Sequence, residues 1–172
     1  MRRGRALPVF LAHSLTGMFT QLKYVKCTVS VVRQEAEPRL LDTSIPVLVV
    51  DDSATMINIV RTLLRQIGFA DVDDAKDGAT ALEQMRRKRY GLVISDWNME
   101  PMSGYDFLRE VRRDDGLKRT LFIMITGEAK TENVIAARRA GVNNYIVKPF
   151  NAQTLKTKIE SVFLARTAAL IA

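Results

Sequence analysis

Five polar side chains could do chemistry together, because each lies at the end of an apolar segment. They are Asp51, Asp52, Asp96, Thr126 and Lys148. Three carboxylates gathered in one place repel one another and are costly to desolvate, so we expect a bound cation beside them. Oxygen ligands with partial hydration suit Mg²⁺ in octahedral geometry. A lysine and a hydroxyl next to that cation would complement the charge of a phosphoryl group during its transfer.

Asp96 is the best candidate for a nucleophile, because it stands alone at the end of its apolar segment. An aspartate carboxylate can attack phosphorus and hold the group as an acyl phosphate. Plainer interpretations of two other residues stay open on the sequence alone. Thr126 could cap the loop after its strand, and Tyr145 could be an aromatic residue packed on an edge strand.

The elements that would position these residues alternate regularly along the chain. Apolar runs predict strands over residues 47–50, 69–72, 92–95, 121–125 and 145–147. A helical pattern follows each strand: the first begins after residue 53, the next three cover residues 78–88, 104–113 and 131–140, and the last reaches residue 163. Strict alternation predicts an α/β fold, a doubly wound (βα)5 domain with a parallel five-stranded sheet. The polar second strand suits an edge, which favours the flavodoxin-like strand order 2-1-3-4-5. Ligands bind such sheets at the carboxyl ends of the strands, where the polar residues should converge.

Four short motifs lie at these strand ends: VLVVDDS at the first strand, ISDWNM at the third, ITGEA after the fourth and YIVKPF at the fifth. Each one alone is a weak signal, but all four in this order on this strand pattern are specific. Residues 45–166 resemble the response-regulator receiver domains of two-component signalling. Within that family the resemblance is to CheY-like single-domain chemotaxis regulators.

The resemblance implies a role for each site residue. Asp96 would be the phosphoacceptor, and a histidine kinase would supply the phosphoryl group. Mg²⁺ would be held by Asp52, Asp96 and the backbone carbonyl of Asn98, with Asp51 assisting through water. Lys148 would contact the phosphoryl group, and Thr126 and Tyr145 would respond as switch residues. The Lys148–Pro149 peptide bond would be cis.

Two acids near the predicted site bear on how it works. Glu100 stands where the family usually has proline, and Pro101 comes one residue later, whereas Gly104 keeps its usual distance from the acceptor. An extra carboxylate there would alter Mg²⁺ affinity or phosphate lifetime in a direction that the sequence leaves open. In similar proteins the position of Glu128 lies near the mouth of the site.

The predicted function is phosphorylation-dependent signalling in chemotaxis through a protein contact, and not catalysis of turnover. The predicted partner is a flagellar motor switch protein or another phosphorylation-sensitive protein, because no output domain is expected after the fifth helix. A phosphorelay shuttle or phosphate sink is the alternative. A phosphatase is disfavoured because Asp51 and Asp52 are adjacent, and the complete acidic set with Lys148 disfavours an adaptor that does not accept phosphate.

Composition bounds the remaining expectations. The net charge of the chain is +7, of which residues 1–44 carry seven Lys/Arg and three acids, so nucleic-acid binding by the remainder is not expected. The basic run at residues 86–89 is interpreted as a solvated helix end, with a polyanion site as the alternative. A single cysteine, Cys27, fits the cytoplasm, and no membrane insertion is expected.

The domain prediction divides the chain into two parts. Residues 45–168 would form a monomeric receiver domain. Residues 1–44 would be an N-terminal extension that is either disordered or a mis-assigned start, with Met18 as an alternative start. A faint likeness of its first residues to a signal peptide is the remaining alternative.

Overall fold

The computed structural model describes residues 41–127 and 130–171, without the side chain of residue 170. The chain divides into a unit over residues 1–37 and a unit over residues 38–172, and the described residues all belong to the second. Most of the predicted N-terminal extension therefore lies outside the described residues, as does Glu128. Leu41, at the end of that extension, is half-buried and packs against the core.

The described residues form five strands and five helices in strict alternation. In chain order the elements are β1 (Val47–Val50), α1 (Ala54–Ile67), β2 (Val72–Ala75), α2 (Gly78–Arg87), β3 (Leu92–Asp96), α3 (Gly104–Arg113), β4 (Leu121–Thr126), α4 (Thr131–Arg139), β5 (Asn144–Val147) and α5 (Ala152–Ile171). None of the helices in these described ranges has the length and apolar character needed to cross a membrane.

All strand pairs are parallel, and the strand order is β2-β1-β3-β4-β5, which confirms the predicted (βα)5 fold. Strands β1, β3 and β4 are buried along their whole length because their residues are apolar on both faces. Helices cover each face and produce two hydrophobic clusters, one on either side of the sheet. In this register Val50 lies beside Ser95, and Asp96 lies beside Ile125, so the carboxyl ends of the central strands are level.

The prediction of the second strand over residues 69–72 was wrong, because β2 begins only at Val72. Gly68 closes α1 in the left-handed conformation at a φ of 115°. The N–H of Gly68 donates to the carbonyl of Arg65, and the N–H of Phe69 donates to that of Leu64, which is the Schellman pattern. Phe69 is therefore part of the helix ending and fills the core with its buried side chain.

The edge strand β2 and the residue before it carry acidic side chains that are held in ion pairs. Lys88 Nζ lies 2.7 Å from a carboxylate oxygen of Asp71 and 2.8 Å from one of Asp73. Arg61 pairs with Asp74, and the Tyr90 hydroxyl donates to Asp73. These hydrogen bonds lower the pKa of Asp73, that from Lys88 most strongly. The charged edge is thus neutralised locally by side chains from α1 and from the end of α2.

Arg112 of α3 connects two loops at the amino end of the sheet, the one before β4 and the one before β5. Its Nε donates to the carbonyl of Gly141, and Nη1 donates to the carbonyls of Lys118 and Thr120 at 3.1 and 2.9 Å. Nη2 donates to the side-chain oxygen of Asn143, which also accepts the N–H of a β4 residue. Burial lowers the pKa of this guanidinium, yet every donor nitrogen has a partner. Arg112 is therefore a structural crosslink.

Candidate functional site

Lys148 joins two of the predicted carboxylates at the carboxyl edge of the sheet. Its Nζ lies 2.6 Å from Asp96 Oδ1 and 3.3 Å from Asp51 Oδ2. Asp51 follows β1, Asp96 ends β3 and Lys148 follows β5, so residues that are far apart in sequence meet where parallel strands end. Both carboxylates are buried, with residue exposures of 5 % for Asp51 and 6 % for Asp96.

Each carboxylate oxygen of Asp96 accepts a hydrogen bond, one from the chain that leaves β3 and one from Lys148 after β5. The N–H of Asn98 donates to Asp96 Oδ2 at 2.6 Å, while Lys148 occupies Oδ1. The N–H of Trp97 donates to the carbonyl of Ile125 in β4, which holds the loop against the neighbouring strand. The carboxylate of Asp96 therefore has a fixed orientation, with two accepted hydrogen bonds out of about four that it can accept.

Gly104 lies directly against the backbone of Asp96. Its N–H donates to the Trp97 carbonyl at 2.9 Å, so the first residue of α3 closes the loop that follows β3. A Cβ atom at Gly104 would lie 1.9 Å from the carbonyl oxygen of Asp96 and 3.1 Å from the sulfur of Met124. Only glycine fits this approach of helix to strand.

The charges at this edge shift the pKa values of Asp51 and Lys148. Burial raises the pKa of the Asp51 carboxyl above its ordinary value, although the Ser53 N–H donates to it at 2.9 Å and Lys148 lies nearby. Burial lowers the pKa of Lys148, but its hydrogen bond to Asp96 and the charges of both carboxylates outweigh that effect and raise it. Two buried carboxylates share one ammonium group, which leaves the set with excess negative charge.

The other predicted site residues occupy different positions around this group. Asp52 is exposed, beside the buried Asp51. Thr126 ends β4, next to the strand that carries Asp96, and is fully buried, and its carbonyl accepts the Lys148 N–H at 2.7 Å. The predicted contact between the Thr126 hydroxyl and a phosphoryl group stays a prediction.

Tyr145 belongs to an aromatic group beside the acceptor. The ring of Trp97 stacks on Tyr105 of α3 at a centroid separation of 5.4 Å and an interplanar angle of 29°. The same indole meets Tyr145 of β5 edge-on at 6.4 Å and 70°. Arg109 lies over the Tyr105 ring at 5.8 Å. Trp97, the residue next to the acceptor, is thus in contact with both the predicted switch tyrosine and α3.

The oxygen atoms at this edge fit a hard divalent cation. No three His, Cys, Asp or Glu side chains within residues 41–127 and 130–171 are grouped closely enough to bind a metal by themselves. Mg²⁺, however, keeps several waters and requires only one or two carboxylates. The carboxylates of Asp51 and Asp96 each retain unoccupied lone pairs, and Asn98 lies in the loop bonded to Asp96. The excess negative charge of the set also favours a cation.

The loop that departs from the expected motif is distinctive in its backbone. The Glu100–Pro101 peptide bond is cis. The Lys148–Pro149 bond is also cis, which confirms the prediction for it. The Glu100 side chain is exposed, whereas the preceding Met99 is buried in the core. The influence of Glu100 on Mg²⁺ or phosphate stays a prediction.

The arrangement agrees with the family that the chain matches. Residues 47–160 match the response regulator receiver domain. This chain belongs to the response-regulator receiver family. Among curated relatives of this receiver, chemotaxis protein CheY-3 of Vibrio cholerae is 47 % identical over 124 residues, which are 72 % of this chain and 95 % of that protein.

Solved receivers have the same architecture. Chemotaxis response regulator CheY4 of Vibrio cholerae is 34 % identical with a TM-score of 0.65, and the match covers 69 % of this chain and 98 % of that one. The receiver domain of a sensor histidine kinase from Pseudomonas aeruginosa is 26 % identical with a TM-score of 0.64, over 70 % of this chain and 98 % of that one. That structure is described with a magnesium ion coordinated in its active-site cleft. The chain is thus a CheY-like receiver by sequence and fold.

The sequence did not predict two contributions to the site, the stacking of Tyr105 on Trp97 and the need for glycine at position 104. Tyr105 carried no signal, because a single tyrosine at the start of a helix is ordinary. The need for glycine at position 104 had a weak signal, since glycine is unfavourable in a helix and its presence at the start of α3 asks for a packing reason. The distance between that residue and Asp96 depends on tertiary packing alone.

Proposed function

We propose that this receiver accepts a phosphoryl group on Asp96 from a histidine kinase and signals through a phosphorylation-dependent protein contact in chemotaxis. The contact between Lys148 and Asp96, at 2.6 Å, is the observation that carries the proposal. A lysine held against the acceptor oxygen is already in place for a group that arrives there with additional negative charge.

The proposed transfer is an in-line displacement at phosphorus. A carboxylate oxygen of Asp96 attacks the phosphorus of a phosphohistidine, so an O–P bond forms as the P–N bond breaks. The electron pair of the P–N bond leaves with the imidazole, which takes up a proton. Lys148 then pairs with a phosphoryl oxygen, and its hydrogen bond to the acceptor is exchanged for that contact.

We propose that Mg²⁺ is the cofactor, held by Asp52, Asp96 and the backbone carbonyl of Asn98, with Asp51 assisting through water. When bound, it would neutralise charge on the phosphoryl oxygens. The residues of the chain orient the reacting carboxylate through the Asn98 N–H and keep Asp51 facing Asp96 through the Ser53 N–H.

Phosphorylation would be read out at β5. The proposed sequence is that Thr126 hydrogen-bonds the phosphoryl group and that Tyr145, held edge-on to Trp97, changes its rotamer in response. The rotamer change would shift a pre-existing equilibrium between two conformations of the surface around β5. A partner that binds one conformation more tightly than the other would read that shift. A flagellar motor switch protein is the proposed partner, because curated relatives are named as chemotaxis proteins. We propose that the protein acts in the cytoplasm.

The test is phosphate incorporation from a small phosphodonor, followed by intact mass. We expect one phosphoryl group on the full-length wild-type chain with Mg²⁺, and none on Asp96→Asn or without Mg²⁺. Asp115→Asn is the matched control, because that aspartate is exposed, lies away from Asp96 and pairs with Lys118. It should incorporate phosphate as the wild type does.

Lys148→Ala provides an independent check on the geometry. It should bind Mg²⁺ but lose most of the incorporation rate, since the acceptor would lack the charge that faces the incoming group. Incorporation that persists in Asp96→Asn, or that proceeds equally without Mg²⁺, would contradict the proposal. A folded wild-type chain that takes up no phosphate would do the same.

A further inference from the structure

A pocket lies at the amino edge of the sheet, opposite the edge that carries Asp96. It has a volume of about 250 Å³ and is formed where the chain enters β1, β3 and β4. Its apolar wall consists of Ile45, Pro46 and Leu117, with the buried ring of Tyr90 beside them. Nothing in the proposed phosphorylation chemistry uses this pocket.

Three arginines from distant parts of the chain line this pocket. Arg89 follows α2, Arg119 precedes β4 and Arg166 belongs to α5. The pocket lining contains no carboxylate. Each guanidinium remains charged at any pH at which the protein is folded. Three like charges around one cavity repel, so the pocket favours an anion.

Two neighbouring lysines differ from these three arginines because the lysines are already paired. Lys88 binds Asp71 and Asp73, and Lys118 binds Asp115. Within the part of the chain that the structure describes, Arg89, Arg119 and Arg166 form no ion pair or side-chain hydrogen bond. The basic run at residues 86–89 is therefore divided: Lys88 neutralises the edge strand, whereas Arg89 contributes to the pocket.

A second cavity shares part of this lining. This cavity, of about 460 Å³, shares Arg119, Thr120 and Arg166 with the first, and Lys118 also lines it. No carboxylate lines the second cavity either. Together the cavities offer an apolar wall at one end and cations along their length. Guanidinium groups match phosphate geometry with two parallel hydrogen bonds each.

We propose that this pocket binds a nucleoside diphosphate or triphosphate, with the phosphate chain on Arg89, Arg119 and Arg166. The base would pack on the apolar wall formed by Ile45, Pro46 and Leu117. Two or more phosphates are expected because three unpaired cations require several negative charges to balance them.

The test is a titration of the full-length protein with ADP in low-salt buffer without Mg²⁺, followed by calorimetry and by amide NMR shifts. We expect ADP to bind more tightly than AMP or pyrophosphate. Arg119→Ala should weaken ADP binding about tenfold or more, since it removes a charge-assisted contact. Arg86→Ala is the matched control, because it lies in the same basic run without lining the pocket, and it should change affinity less than about twofold.

The NMR shifts separate this pocket from the phosphorylation site. Shifts centred on Gly91, Leu117 and Thr120 support the proposal, whereas shifts centred on Asp96 and Lys148 overturn it. Equal affinity for ADP and AMP, or an equal loss in the Arg86 and Arg119 variants, would also overturn it. Pyrophosphate that binds as tightly as ADP would refute the assignment to a nucleotide.

Discussion

Replacing Gly104 with alanine tests whether the helix that follows the acceptor loop is packed as tightly as the structure indicates. The added Cβ would lie 1.9 Å from the Asp96 carbonyl oxygen, whereas real Cβ contacts below 3.0 Å are essentially never seen. The start of α3 or the end of β3 must therefore move by about 1 Å. The atom in the way belongs to a central strand, so no flexible side chain can relieve the contact.

The expected loss of stability follows from two opposing effects. Overpacking of a tight interior contact costs up to about 3 kcal/mol. Alanine in place of a helical glycine gains about 0.5–1 kcal/mol. We therefore expect Gly104→Ala to lower the free energy of unfolding by about 2 kcal/mol, which corresponds to a fall in Tm of about 8 °C for a domain of this size. Displacing the acceptor by about 1 Å should also slow phosphorylation at least tenfold.

The assay is urea unfolding of the full-length chain, with phosphorylation followed by intact mass. Gly127→Ala is the control, because a Cβ at that loop position meets no atom of the described residues within 4 Å. Its unfolding midpoint should match or slightly exceed that of the wild type. If Gly104→Ala unfolds at the same urea concentration as the control, the packing argument is wrong.

Three further outcomes can be checked by urea unfolding or by calorimetry. Arg112→Ala should lower the unfolding free energy by about 2 kcal/mol, because three backbone carbonyls and the Asn143 side chain lose their shared donor, whereas the exposed Arg113→Ala should change it by less than about 0.5 kcal/mol. Asp77 caps α2, and the Thr80 N–H lowers the pKa of its carboxyl. The cap therefore stabilises the protein fully at a pH above 3.8, the ordinary pKa of an aspartate, and this stabilisation is lost as the pH falls through the lowered pKa of Asp77 in the folded protein. Asp77→Ala should cost about 1 kcal/mol in urea unfolding at neutral pH, and the deficit should shrink in acid. Asp51→Asn should weaken Mg²⁺ binding, measured by calorimetry, at least tenfold while the protein stays folded.

The sequence predicts most of the sheet because β1, β3 and β4 are apolar on both faces, a pattern that buried parallel strands share. It fails at β2, where Gly68 and Phe69 form a hydrogen-bonded helix ending. A buried phenylalanine looks the same in a sequence whether it begins a strand or closes a helix. The capping hydrogen bonds that distinguish the two depend on the backbone conformation at Gly68.

The convergence of Asp51, Asp96 and Lys148 was also predictable, since parallel strands end on one edge. The different surroundings of Asp51 and Asp52 were not, because successive residues in a strand-to-helix turn point in different directions. The arginine pocket was even less accessible to sequence reasoning. Its three arginines come from segments separated by dozens of residues, and only folding brings them together.

The ion pairs along β2 have a consequence for behaviour at high protein concentration. An edge strand exposes backbone groups to which the sheet of another molecule could add. A strand that approached β2 would have to strip water from Asp73 and Asp74 and compete with Lys88 and Arg61 for their carboxylates. The ion-paired aspartates therefore disfavour polymerisation through this edge, and replacing both with neutral residues would make such polymerisation easier.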